Sequence, residues 1–268
     1  MKAADANAVN TLRNGGKMTR IIMCGCSGKM GQVISDIVKN DETAEIVAGV
    51  DLVNNGTNAY PVYSSFKQIQ EEADVIIDFS SPKDLEGRME YAITQQIPVV
   101  LCTTGLSQEQ LDYVLECSKK VAVLRSANMS LGINTISKLL TQISGLFSEA
   151  GFDIEIVEKH HNQKVDAPSG TALALADAVN AGLEEEFEYK YDRSQDRIKR
   201  PKKEIGISAV RGGTIVGEHE IIFAGRDEVI EIKHTAYSKG IFGTGAVEAA
   251  KFLAGKPAGM YDMSHVIG

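Results

Sequence analysis

The sequence lacks the marks of several protein classes. No apolar run approaches the roughly 18 residues that a membrane-spanning helix needs. Positive charge is not in excess. Lys and Arg number 28 against 36 Asp and Glu, a net charge of −8, so the balance runs against a nucleic-acid binder, which draws its affinity from phosphate contacts. There are only four cysteines, Cys24, Cys26, Cys102 and Cys117. None forms a C-x-x-C pair, so a zinc site or disulfide framework is excluded and reduced thiols in a cytoplasmic protein are expected. The first residues are polar and carry no apolar core, which excludes a secretory signal. Residues 1–19 are read as an N-terminal extension, expected to be disordered. No internal repeat or low-complexity tract is present.

What is present is a core-forming composition, with 43% hydrophobic residues in a 268-residue chain, enough for two modest domains. Short apolar runs at 20–26, 45–50, 74–79, 97–101 and 121–124 read as buried strands. Helical or mixed segments separate them, the first marked by Met30, Val33, Ile34, Ile37 and Val38. Apolar strands alternating with helices predict a parallel sheet covered on both faces, an α/β Rossmann-like dinucleotide-binding domain over 20–129. From Ile133 the pattern changes. A long amphipathic helix (Ile136, Leu139, Leu140, Ile143, Leu146, Phe147) precedes strands at 153–158, 205–210, 214–223 and 228–235, with a hairpin turn at 224–227. This predicts an α+β substrate-binding and oligomerisation domain with a mixed open sheet over 130–239. The tail, 240–268, is expected to return to the first domain.

Two segments carry chemistry. The first strand runs into Gly25-Cys26-Ser27-Gly28-Lys29-Met30-Gly31. Small residues here let the backbone approach a pyrophosphate, and the following helix aims its free N–H groups at it. The second strand ends in Asp51, about 20 residues on, where a ribose-binding carboxylate is expected. Asp51 and Leu52 favour NADH, because a carboxylate repels a 2′-phosphate and leucine cannot pair with one. Lys29 weighs toward NADPH.

The second segment is Glu158-Lys159-His160-His161-Asn162-Gln163-Lys164-Val165-Asp166-Ala167-Pro168-Ser169-Gly170-Thr171. Its polar groups lie between a strand and the start of a helix that runs Ala172 to Val179. A histidine exchanges protons near neutral pH, and a lysine can act as an acid where its surroundings permit. A Ser or Thr cap with unpaired N–H groups suits a carboxylate. Lys159, His160, His161 and Lys164 together would offset the net negative charge for an anionic substrate. Elsewhere, the basic run Arg197, Lys199, Arg200, Lys202 and Lys203 reads as a solvated loop rather than a lid. His219, His234 and His265 read as isolated structural residues, and Met89, Met260 and Met263 as packing residues.

The string E-x-H-H-x-x-K-x-D-A-P-S-G-T-A, here Glu158 to Ala172, resembles the signature of dihydrodipicolinate reductases. The resemblance extends over 20–268 through Asp78-Phe79-Ser80, Thr103-Thr104-Gly105, Ala127-Asn128, Ser130 and Val216-Gly217-Glu218-His219. It implies NAD(P)H-dependent reduction of 4-hydroxy-tetrahydrodipicolinate, through dihydrodipicolinate, in lysine and diaminopimelate biosynthesis by a homotetramer. By that resemblance His160 is the catalytic histidine and Lys164 the proton donor, while His161, Ser169, Gly170 and Thr171 hold substrate carboxylate. Gly25 to Met30, Asp51, Cys102, Thr103, Thr104, Ser126, Ala127, Asn128 and Met129 contact the cofactor. Three positions depart from the family pattern: Cys102 stands for a glycine, Met129 for a frequent aromatic, and Leu52 for an arginine of some members. Two alternatives stay open: another two-domain NAD(P)-dependent dehydrogenase, and a non-catalytic NAD(H)-binding regulator.

Overall fold

The structure is a computed structural model that describes residues 18–268. Most of the expected N-terminal extension, residues 1–17, lies outside the described residues, and the first strand begins at Thr19. The described residues divide into two compact units, one of residues 18–129 with 242–266 and 268, the other of residues 130–241 with 267.

In the first unit the strands are β1 (Thr19–Cys24), β2 (Ala44–Val50), β3 (Val62–Tyr63), β4 (Val75–Asp78), β5 (Val99–Leu101) and β6 (Ala122–Leu124). A further strand from the tail, Gly259–Tyr261, completes a seven-stranded sheet in the order tail strand, β6, β5, β4, β1, β2, β3. Every pairing is parallel. The order reverses beside β1, so the loops after β1 and β4 flank the switch point at which open α/β sheets bind ligands.

Consecutive residues Ile21, Ile22 and Met23 are all fully buried, which a strand shows only when both faces of its sheet are covered. Helices α1 (Lys29–Lys39), α2 (Leu85–Gln95) and α3 (Gln108–Ser118) follow β1, β4 and β5. The last two pack through Leu85, Met89, Ala92, Val114 and Cys117 on the face that carries Ile22, Ile76, Val99 and Val123. The tail contributes another helix, Gly240–Leu253, whose Gly243 sits against Ile34 and Ile37 of α1. Met89 and Met263 are buried packing residues as expected, whereas Met260, on the edge strand, is 39% exposed. This exposure corrects that expectation.

The second unit opens with α4 (Leu131–Glu149), capped by the Ser130 hydroxyl, which accepts from the Ile133 N–H. The sheet contains β7 (Asp153–His160), β8 (Glu188–Lys190), β9 (Glu204–Arg211), β10 (Gly217–Ala224) and β11 (Val229–Ala236) in the order β11-β10-β7-β9-β8. The β10 pairings with β11 and β7 are antiparallel, and those of β7 with β9 and β9 with β8 are parallel. Helices α4 and α5 (Gly170–Ala181) cover one face, burying Ile154, Ile156, Ile205, Ile207, Ile221 and Phe223 with Leu140, Leu175 and Val179.

The strand expected to start at 214 starts at Gly217, because Gly212 and Gly213 turn the chain first. The basic run after β8 is only partly solvated. Arg200 donates to Glu155, Asp153 and the carbonyls of Ile154 and Glu204, which pins the segment to the sheet.

Candidate active site

The parallel sheet of the first unit places its strand C-termini on one edge. Gly25 to Met30 follow β1, Asp51 follows β2, Cys102 to Thr104 follow β5, and Ser126 to Met129 follow β6. The sequence-derived cofactor residues therefore share one edge of one sheet. Gly25 has φ +76°, and a Cβ there would lie 2.6 Å from the Phe79 carbonyl oxygen, so only glycine fits this turn. A Cβ on Gly31 would lie 2.2 Å from the Gly25 carbonyl oxygen, so α1 starts in backbone contact with the turn. Gly28 caps α1 without a side chain in the way. Asp51 Oδ2 accepts from the Ser27 N–H at 2.9 Å, and the Ser27 hydroxyl donates to the Val53 carbonyl, so the end of β2 braces the turn. This is a cradle of small residues at a helix start beside a carboxylate, and it fits a dinucleotide.

Behind the cradle lies a buried group that sequence reading did not single out as a network. Asp78, fully buried at the end of β4, accepts from Thr103 Oγ1 at 2.7 Å and from the N–H and hydroxyl of Ser80. Arg88 Nε lies 3.1 Å from Asp78 Oδ2, and its Nη atoms reach the Ser80 hydroxyl and the Ser81 carbonyl. A buried carboxylate is tolerable only with such partners. These fix the loops after β4 and β5. Burial pushes the Cys24 and Cys102 thiols well above their usual range, which favours the neutral thiol.

In the second unit, the covered face of β7 changes character towards its end. Ile154 and Ile156 give way to Glu158 and His160 at the same alternation. Beside them come Arg211 from β9, paired with His160, and His219 from β10, paired with Glu158. The start of α5 faces this group. Ser169 caps it, its hydroxyl accepting from the Ala172 N–H. Glu158 accepts from the Ser169 N–H at 2.9 Å, from both Nη atoms of Arg211 at 2.6 and 2.7 Å, and contacts His160 Nδ1 at 2.7 Å. Burial alone would raise its carboxyl, but Arg211, His160 and Ser169 outweigh it and hold Glu158 below the usual range.

Thus His160 and Ser169 meet at one buried carboxylate, and Gly170 and Thr171 follow in the first turn of α5. Lys164, a half-buried side chain, pairs with Asp166 at 2.8 Å, and Arg211 Nη2 holds the Asp166 carbonyl at 2.7 Å. His161 shares the turn, its carbonyl accepting from the Lys164 N–H.

Two expectations are corrected here. His219 is not isolated: its Nε2 lies 3.0 Å from the Ser169 hydroxyl, and its ring meets His160 edge-on at 5.1 Å. Burial and the neighbouring His160 push it down to about 4, so it is neutral at physiological pH. Lys159 does not join the positive site. Strand alternation turns it to the opposite face, where it pairs with Glu218. His265 does act structurally, closing a capping box with Asp262.

The family models for the dihydrodipicolinate reductase N-terminus and C-terminus match residues 19–129 and 132–267. The chain belongs to the dihydrodipicolinate reductase family. The 4-hydroxy-tetrahydrodipicolinate reductase of Caldanaerobacter subterraneus subsp. tengcongensis is 52% identical over 93% of this chain and 98% of its own. That of Clostridium novyi is 50% identical over the same shares. The structure of dipicolinate-bound dihydrodipicolinate reductase from Paenisporosarcina sp. TG-14 aligns with a TM-score of 0.77 at 23% identity, covering 94% of this chain and 100% of that one, a likeness of fold. Dihydrodipicolinate reductases are oxidoreductases with a Rossmann-like half and a mixed-sheet half, and this chain has both. Among the described residues no His, Cys, Asp and Glu group is arranged to hold a metal ion, and no helix is long and apolar enough to cross a membrane.

Proposed function

We propose that this protein is a 4-hydroxy-tetrahydrodipicolinate reductase that uses NADH or NADPH in lysine and diaminopimelate biosynthesis. What carries the reading is the name shared by relatives of about half identity along nearly the whole chain. Geometry adds to it. His160 ends β7 and Lys164 stands in the turn that follows it, ahead of a helix start that suits a carboxylate.

In this reading the nicotinamide supplies the hydride when bound, and the protein orients, charges and protonates. The first unit holds the dinucleotide. Gly25 to Met30 admit its pyrophosphate, Asp51 accepts from a ribose hydroxyl, and the backbone of Cys102 to Thr104 and Ser126 to Met129 borders the nicotinamide. The Cys102 departure leaves a backbone contact intact. The second unit takes the dicarboxylate. Ser169, Gly170 and Thr171 present the start of α5, and His161 adds a donor. Lys164 Nζ gives its proton to the reduced ring. Asp166, held below the usual carboxylate range by the Lys164 ammonium, keeps that group in place. Charge decides entry, since a dianion meets a protein of net charge −8. Arg211 is neutralised by Glu158 and the Lys164 ammonium is shared with Asp166, so an incoming carboxylate would compete with Asp166 for Lys164 and add the His161 side chain and the helix start.

Asp51 at the end of β2 and the exposed Leu52 favour NADH at least as much as NADPH. Four free cysteines suit the cytoplasm. The second unit's uncovered sheet face is proposed to join four copies. The deciding experiment follows nicotinamide absorbance with both cofactors after addition of freshly condensed 4-hydroxy-tetrahydrodipicolinate, beside amino-acid and sugar controls. Oxidation with that substrate alone, NADH being used at least as well, supports the reading. Oxidation with a control substrate instead, or with none, rejects it.

A further inference from the structure

Glu158 is completely buried and all of its acceptor capacity is used. Oε1 takes the Ser169 N–H at 2.9 Å and Arg211 Nη2 at 2.6 Å. Oε2 takes Arg211 Nη1 at 2.7 Å and faces His160 Nδ1 at 2.7 Å. An ionised carboxylate has no hydrogen to donate. The hydrogen in the contact with His160 therefore belongs to the imidazole, on Nδ1. Gly217, with no side chain, leaves space beside the remaining ring nitrogen, Nε2, which an added Cβ would approach to 3.0 Å. The edge-on His219 ring closes one side. The imidazole is thus held in one orientation and one tautomer.

We propose that Glu158 is a positioning residue that imposes the Nδ1–H form on His160, so that Nε2 is the atom that works on the substrate. This rests on the reading of His160 as catalytic. Arg211 is the second half of the device. A lone carboxylate in this interior would take up a proton and lose its hold on the imidazole, and the bidentate guanidinium prevents that. Arg211 also reaches the Asp166 carbonyl, so the group that fixes the His160 carboxylate fixes the turn bearing Lys164. The residues come from β7, β9 and the start of α5, and each is needed to satisfy another.

Glu158→Gln separates positioning from packing. The Ser169 N–H and Arg211 Nη2 both donate to the Oε1 position, so the amide oxygen settles there. The amide nitrogen then occupies the Oε2 position, where it displaces the Arg211 Nη1 contact and donates to Nδ1, which forces His160 into the Nε2–H form. The measurement is the nitrogen-15 spectrum of the full chain labelled at histidine, at a pH where His160 is neutral, beside steady-state kinetics and NADH calorimetry.

The expected result is Nδ1–H His160 in the wild type and Nε2–H in E158Q. kcat falls by about 10²-fold or more, as for a mispositioned proton-transfer group, and NADH affinity stays unchanged. A wild-type Nε2–H spectrum, an unflipped E158Q, or a flipped E158Q with near-normal kcat overturns the inference. Should E158Q fail to fold, the wild-type spectrum decides. His160→Ala with full activity would instead reject His160 as catalytic, a failure that belongs to the functional reading.

Discussion

At the scale of single residues, the proposed roles in the second unit separate groups that exchange protons from groups that hold them. Lys164→Ala and His160→Ala are each expected to lower kcat by at least ~10²-fold, the low end for losing a positioned acid or base. NADH affinity should not change, since the proposed dinucleotide residues belong to the other unit. His161→Ala should act on KM, because a carboxylate contact made equally in ground and transition states is uniform binding. Steady-state kinetics beside calorimetry checks all three. A Lys164→Ala enzyme that loses NADH affinity in step with activity would contradict the assignment.

His219 belongs to the groups that hold. Its buried imidazole titrates near 4 against an ordinary 6.5, so between those values the unfolded chain binds a proton that the folded chain does not. Stability from this residue is full above pH 6.5 and is lost as pH falls toward 4. At about 1.4 kcal/mol per pH unit the whole loss is at most about 3 kcal/mol. Glu158 acts lower, because its depressed carboxyl contributes above the ordinary 4.5 and loses that only below it. Urea unfolding across this range should give a slope for the wild type that His219→Gln flattens between pH 6.5 and 4. Equal slopes would show that His219 is not the titrating group.

At the scale of elements, the contact between β1, its glycine turn and α1 is backbone on backbone. Gly25→Ala places a Cβ 2.6 Å from the Phe79 carbonyl at φ +76°, and neither atom is a flexible side-chain end. The strained backbone costs about 1–2 kcal/mol, and the loop must also shift. NADH affinity is expected to fall at least about tenfold, which is about 1.4 kcal/mol, with kcat at saturating NADH little changed. Titration calorimetry measures it, and unchanged affinity would remove the turn from the proposed dinucleotide site. The start of α5 obeys the same logic. Ser169 uses its N–H on Glu158 and its hydroxyl on the Ala172 N–H and His219, so the cap ties the helix to the buried carboxylate.

At the scale of the whole molecule, the uncovered face of the second sheet bears on assembly. Lys159 and Lys233 flank Glu218, and Glu220 and Glu231 lie in the neighbouring rows, with Val157, Val210, Ile222 and Val229 among them. The face carries charged and apolar side chains together. A two-fold contact would have to match acids to lysines. Light scattering at micromolar concentration should give four times the chain mass, and Glu218→Lys, which sets three lysines together, should lower it. A monomeric wild type would reject the tetramer.

Much of this was legible in the sequence because it is local. The strand–Gly turn–helix run with Asp51, and the stretch from Glu158 to Thr171, are contiguous or periodic, so residue order alone puts their groups near one another. The change from βα alternation to longer strands marked the second unit for the same reason. Strand ends, the two-residue β3 and the tail strand were not legible, since their pairing depends on neighbours distant in the chain. The same distance hid the supporting groups of the site. Arg211 is 53 residues from Glu158, and His219 is 50 from Ser169. Their meeting depends on the parallel register of β7 with β9 and the antiparallel register of β7 with β10. A one-residue slip in either would turn those side chains to the other face. The sequence by itself determined which chemistry the chain carries and on which segments. Tertiary packing alone decided that Glu158 is dry, that Arg211 neutralises it and that Lys159 faces away, because burial and register arise between segments that only the folded sheet brings together.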